Sequence, residues 1–128
     1  MLAVAKREKK GYLNTNSIDN FPCEDLRTID QLWVKYSNGQ FGFSVQKRIY
    51  QSLGGTREYN WEIWKAFGDK VGWRKGANWV YYTDITFDIK APEAHLPAAF
   101  AILGVGIKFN EWFKILRLGG SLLSRRDL

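Results

Sequence analysis

From Phe21 to Leu53 the apolar positions fall on two helical stripes separated by an aromatic corner. Leu26, Ile29, Leu32, Trp33 and Tyr36 recur three and four residues apart, which puts them on one face of an α-helix. Pro22 suits a first turn, where no amide hydrogen is needed, and Glu24 and Asp25 suit the positive end of the helix dipole. Ser37-Asn38-Gly39 ends the run, with Asn38 or Gly39 able to take the left-handed conformation. The corner Phe41-Gly42-Phe43 follows. A second helix is predicted from near Ser44, with Val45, Ile49 and Leu53 on one side and Gly54-Gly55 as its stop.

Asn60 is a candidate cap for a third helix, whose buried stripe is Trp61, Trp64, Phe67 and Val71. Leu2 to Lys10 reads as the end of a helix stopped at Gly11, followed by the polar loop Asn14 to Ser17. Near the other end Phe109, Trp112, Phe113 and Leu116 share a helical face flanked by Lys108, Lys114 and Arg117, and Gly119-Gly120 closes it. The segment Asn78 to Ile89 is ambiguous. Trp79 to Tyr82 and Thr86 to Ile89 have strand-like composition around Thr83-Asp84, so propensity alone makes them a small hairpin. No repeat or low-complexity linker interrupts the chain, and its 128 residues read as a single domain, 1–128.

Composition adds two facts to this pattern. Six Trp, six Tyr and eight Phe serve a packed core, and they are equally the natural lining for a flat conjugated ligand. A net charge of +6 favours acidic partners (carboxylated small molecules, nucleic acid or anionic lipid), although a solvated basic surface accounts for an excess of this size too. The lone Cys23 excludes an internal disulfide and fits a reducing compartment. The basic run after the short apolar start is the reverse of a secretory order. The apolar run Leu96 to Ile107 is shorter than the roughly 20 residues a bilayer span needs, so a soluble or peripherally attached protein is expected.

Catalytic chemistry is sparse. His95 has no second His or Cys near it in sequence, so it reads as structural rather than as a metal ligand. Ser44 lacks a G-x-S-x-G context, and Gly54-Gly55 is not followed by the Lys-Ser pair of a phosphate loop. No enzyme is expected, and no metal site. Trp73-Arg74-Lys75 and Arg125-Arg126 could hold a nucleic acid, but the basic residues are scattered rather than forming one stripe, so none is expected.

The chain resembles the Genomes Uncoupled Four family, the porphyrin-binding accessory proteins of magnesium chelatase. The strings that carry the resemblance are G-Y-L at Gly11, F-P-C-E-D-L at Phe21, I-D-Q-L-W at Ile29 and Y-S-N-G-Q-F-G-F-S-V-Q-K-R-I-Y from Tyr36. F-G-D-K-V-G-W-R from Phe67 and H-L-P at His95 extend it. The resemblance implies an all-α domain shaped as a cupped hand, with a long apolar loop near the C-terminus. It implies binding of protoporphyrin IX and Mg-protoporphyrin IX, with stimulation of magnesium chelatase through its large porphyrin-binding subunit in chlorophyll biosynthesis. The implied setting is the cytoplasm or membrane periphery of a cyanobacterium-like cell, or a plastid.

Carried over by position, Val34, Phe41 and Phe43 line the ligand palm, with ordinary core packing as the other reading of Val34 and Phe43. Leu96, Phe100, Ile102, Leu103 and Phe109 line it from the loop, and Arg125 meets a porphyrin carboxylate, with Arg126 as the fallback. No protein ligand to magnesium is implied. The resemblance also makes Trp79 to Ile89 mostly irregular or helical, against local propensity. The family's glycine before H-L-P is Ala94 here, Phe100 to Leu118 fits loosely, and the chain starts inside the family's usual boundary. These departures leave a second reading, a porphyrin sensor or interaction module without chelatase stimulation. The basic helix Lys108 to Leu118 reads either as a packed helix or as a contact for anionic membrane.

Overall fold

The computed structural model describes residues 19–58, 60–98, 121–126 and 128. The helices expected at Leu2–Lys10 and Lys108–Leu118, and the candidates Phe100, Ile102, Leu103 and Phe109, lie outside the described residues.

Helix α1 spans Cys23–Tyr36, with Glu24 and Asp25 in its first turn and Lys35 in its last, each complementing the dipole at its end. Its stripe is only partly core. Leu26 is fully buried, and Ile29, Trp33 and Val34 pack against the core, whereas Leu32 and Tyr36 remain 50% and 79% exposed. Asn38 and Gly39 both take left-handed φ, and the Gly39 amide returns to the Val34 carbonyl at 2.8 Å to close the helix.

The corner then turns the chain sharply. The Phe41 amide donates to Ser37 Oγ at 2.8 Å, and Gly42 adopts φ +139°. A β-carbon at Gly42 would lie 2.8 Å from Val34 Cγ2 and 2.9 Å from Asp30 Oδ1, so only glycine fits between α1 and the next helix. Helix α2 spans Phe43–Ser52, one residue earlier than Ser44. Its N-cap is Gly42, which has no side chain to accept an amide. Asp30, buried in α1, supplies the acceptor instead: Ser44 N–H donates to its Oδ1 at 2.8 Å.

Helix α3 spans Trp61–Lys70 and is capped as expected, Asn60 Oδ1 accepting the Ile63 amide at 3.1 Å. Trp64 and Phe67 are buried, while Trp61 stays 42% exposed. Two short antiparallel strands follow, β1 (Arg74–Lys75) and β2 (Asn78–Trp79), with Arg74 opposite Trp79 and Lys75 opposite Asn78. The Gly76-Ala77 loop joins them, with Gly76 at φ +62°. The hairpin that propensity placed at residues 79–89 therefore sits earlier. From Val80 to Ile89 the chain is irregular apart from a 3-10 turn at Tyr82–Asp84, in line with the expectation for that segment.

The core is an aromatic cluster. Trp64 lies 5.3 Å from Phe67, 6.0 Å from Tyr50, and 6.5 Å from each of Trp73 and Trp79, ring centre to ring centre. Such pairs contribute about 0.5–1.5 kcal/mol each beyond the area they bury. Gly68 within α3 admits the Trp79 indole, since a β-carbon there would meet that ring at 2.6 Å. Leu122 and Leu123, in a helical turn near the C-terminus, complete the same core. Lys47 ties this turn to α2 by donating to the carbonyls of Arg125 and Leu128. Among the described residues no helix is long and apolar enough to cross a membrane.

Candidate functional site

A cleft of about 450 Å³ opens between the C-terminal half of α1 and the irregular segment that follows the 3-10 turn. One wall is Leu32, Trp33 and Tyr36, and the other is Phe87, Asp88 and Ile89. Ser37, Phe41 and Leu96 complete the lining. The volume falls within the range of about 300–1,000 Å³ usual for small-molecule sites.

Both walls leave apolar surface open to water. Phe87 and Ile89 remain 62% and 55% exposed, facing solvent as Leu32 and Tyr36 do. Four large apolar side chains left exposed around one concavity make a patch that a ligand can cover.

Each wall is held from behind. On the α1 side the Gly42 amide donates to the Leu96 carbonyl at 3.1 Å, which joins the corner to the floor of the cleft. The opposite wall hangs on His95. Thr86 N–H donates to His95 Nε2 at 3.1 Å, so the ring proton sits on Nδ1 and is donated to the Val71 carbonyl at 2.7 Å. The His95 carbonyl in turn accepts Trp73 Nε1–H at 2.8 Å. With both ring nitrogens engaged, the histidine is structural.

The other end of that wall is fixed by Gln40, whose side-chain amide donates to the Ala91 carbonyl at 2.9 Å and whose own carbonyl accepts the Ala94 amide. Buried Gln46 clamps the next turn by donating to the carbonyls of Ala94 and Pro97. Ala94 sits at φ +63°. The left-handed turn is thus made without glycine, at a cost of about 1–2 kcal/mol for a residue with a β-carbon.

The structure brings together two of the residues named from sequence, Phe41 and Leu96. Val34 lies behind the corner, half-buried against Gly42. Phe43, only two residues beyond Phe41, points into the core and is 1% exposed. Arg125 is at the opposite end of α1, where its Nη1 donates to the Phe21 carbonyl at 2.6 Å and its Nη2 approaches Cys23 Sγ at 3.5 Å. At 1.5 Å rise per residue, the nine steps from Cys23 to Leu32 put the cleft roughly 14 Å further along the helix axis.

Leu32, Trp33, Tyr36, Phe87 and Ile89 were visible in the sequence only as a helix stripe and a strand-like run. The signal was available in principle: a stripe that continues to the last turn of its helix, and apolar residues in a segment without regular structure.

The lining offers burial rather than bond-making chemistry. Besides the Tyr36 phenol and the Trp33 indole, its polar groups are the Ser37 hydroxyl, which accepts the Phe41 amide, and the Asp88 carboxylate, which accepts the Lys90 amide at 2.8 Å. Among the described residues no group of three or more His, Cys, Asp or Glu is arranged to hold a metal ion.

The sequence matches the GUN4-like family over residues 1–113. A Ycf53-like protein of Synechocystis sp. is 36% identical over 107 residues, which cover 83% of this chain and 43% of that protein. A chloroplast tetrapyrrole-binding protein of Arabidopsis thaliana is 45% identical over 42 residues, 33% of this chain and 16% of its own length. The chain spans less than half the length of these curated relatives. Ligand-free GUN4 from Arabidopsis thaliana superposes with a TM-score of 0.72 at 26% identity, covering 98% of this chain and 76% of that one. GUN4 from Chlamydomonas reinhardtii gives 0.69 at 22% identity over 98% and 72% of the two chains, a likeness of fold.

Proposed function

The chain belongs to the GUN4-like family, and on that premise we propose that its cleft binds a tetrapyrrole, protoporphyrin IX or its magnesium complex. The observation that carries the proposal is the exposed apolar lining of Leu32, Tyr36, Phe87 and Ile89 around a single concavity. The sequence match to a chloroplast tetrapyrrole-binding protein supports it. A macrocycle edge entering between Tyr36 and Phe87 removes apolar surface from water on both of its faces. Each 100 Å² removed stabilises by about 2.5 kcal/mol. Phe41 and Leu96 form the floor, and Trp33 places an indole at the ligand.

In this reading the protein is a carrier and not an enzyme. It holds the porphyrin without contributing a ligand to magnesium and presents it to the large porphyrin-binding subunit of magnesium chelatase, thereby stimulating chelation. The cyanobacterial and chloroplast relatives fit a cyanobacterial or plastid setting. Titration of the protein with protoporphyrin IX tests the reading: Trp fluorescence quenches and the main porphyrin absorption band shifts as the cleft fills. No change in either signal at micromolar ligand refutes it. Adding the loaded protein to a chelatase assay tests stimulation separately, with a rise in turnover expected.

A further inference from the structure

The apolar walls match the face of a tetrapyrrole but leave its carboxylates without partners. Arg125, the residue expected to meet them, is engaged at the far end of α1 with the Phe21 carbonyl. Resting on the reading of the cleft as a tetrapyrrole site, we propose that Lys35 anchors the ligand's carboxylate edge at the mouth of the cleft. Lys35 is thereby the residue that selects a free dicarboxylate over an uncharged analogue.

The position of the ammonium carries the argument. Lys35 lies in the last turn of α1, is exposed, and holds Nζ 5.6 Å from the ring centre of Tyr36, which itself lines the cleft. A ligand stacked on the cleft side of that ring has its edge within reach of the flexible lysine stem. The ion pairs among the described residues include those of Arg48, Arg57, Lys65 and Arg74, and none of these engages the Lys35 ammonium.

The opposite wall repels the same group. Asp88 lines the cleft there, and its carboxylate disfavours a ligand carboxylate on that side. The two charges therefore orient the ligand: its apolar edge enters between the walls, and its acidic edge stays outside, on the Lys35 side and away from Asp88. A purely structural role for Lys35, as a cation at the helix C-terminus resting on Tyr36, would change stability and leave ligand choice untouched.

The test compares protoporphyrin IX with its dimethyl ester, which keeps the macrocycle and removes both charges. Binding is followed by Trp fluorescence for wild type, Lys35→Met, Lys35→Arg and Lys90→Met. Lys35→Met keeps the apolar stem. It is expected to weaken binding of the free acid about three- to fivefold, the scale of a solvent-exposed ion pair, and to leave the ester unchanged. Lys35→Arg restores the affinity, and raised salt removes the difference between wild type and Lys35→Met. Lys90→Met removes a charge from the Asp88 side and leaves affinity for both ligands unchanged.

Equal weakening toward acid and ester, or no weakening at all, overturns the assignment of Lys35. So does an equal response to Lys90→Met. If wild type binds the ester but discriminates no further, the cleft reading stands and the role of Lys35 falls. If wild type binds neither ligand, both fall.

Discussion

Removing the Asp30 carboxylate measures how firmly the aromatic corner is held. Asp30 is 8% exposed, and its Oδ1 accepts the Ser44 amide at 2.8 Å, standing in for a cap that Gly42 cannot provide. Asp30→Ala deletes that acceptor and leaves a partly buried donor in the first turn of α2. Loss of an N-cap costs about 0.5–2 kcal/mol, and a buried donor left unpaired costs about 1–3 kcal/mol, so a destabilisation of about 2 kcal/mol is expected. Asp30→Asn keeps an oxygen at the same place and loses only the charge facing the positive end of α2, about 0.3–1 kcal/mol. Urea unfolding reads both: the midpoint falls further for alanine than for asparagine, with the slope unchanged because the surface exposed on unfolding is the same. If the two variants lose equal stability, the hydrogen bond is not what Asp30 contributes. If alanine costs less than about 0.5 kcal/mol, packing alone holds the corner.

Three further outcomes follow from the same contacts. Phe43→Ala truncates a side chain that is 1% exposed in the core, so it lowers folding stability by about 3–5 kcal/mol in a thermal or chemical melt; a selective loss of porphyrin binding with stability intact would contradict its placement. Tyr36 is 79% exposed, so Tyr36→Ala shifts the melting midpoint little but weakens porphyrin binding about two- to tenfold through the lost ring contact, measured by fluorescence titration. The Arg57 guanidinium, donating from Nη1 and Nη2 to the two oxygens of Asp19, holds that carboxyl below its ordinary value of 3.8. A depressed acid stabilises above its unfolded value and loses that contribution as pH falls through the folded value. Arg57→Gln should therefore be less stable than wild type near neutrality, with the gap closing below pH 3.8, as unfolding curves across the acid range will show.

Much of the helical scaffold was legible because its signals are local. Asn60 caps α3 in the way its side chain suggests, and Gly39 closes α1 with a positive φ. The small hairpin at Arg74–Trp79 was not foreseen although it carries a cue, glycine in a two-residue loop, because Arg74-Lys75 and Asn78-Trp79 lack the alternation that marks a strand. Phe41 and Phe43 look equivalent in sequence. They part company because Gly42, at φ +139°, turns one toward the cleft and makes the other the first residue of α2. Arg125 carried an expected ligand contact, yet the fold brings Phe21 to it first.

By itself the sequence determined three helices to within a residue or so of their ends, the aromatic supply of the core, the scarcity of catalytic motifs, and the family. All of these rest on interactions within one or two helical turns or on direct likeness of residues. Only the tertiary structure decided which half of the α1 stripe is core and which half is left open. It also decided that Asp30 caps a helix other than its own and that Phe87 and Ile89 face Tyr36 across a cleft. Those outcomes depend on residues distant in sequence meeting through His95, Gln40 and Gln46. Periodicity encodes that a face is apolar; what arrives to cover it is set by the path of the rest of the chain.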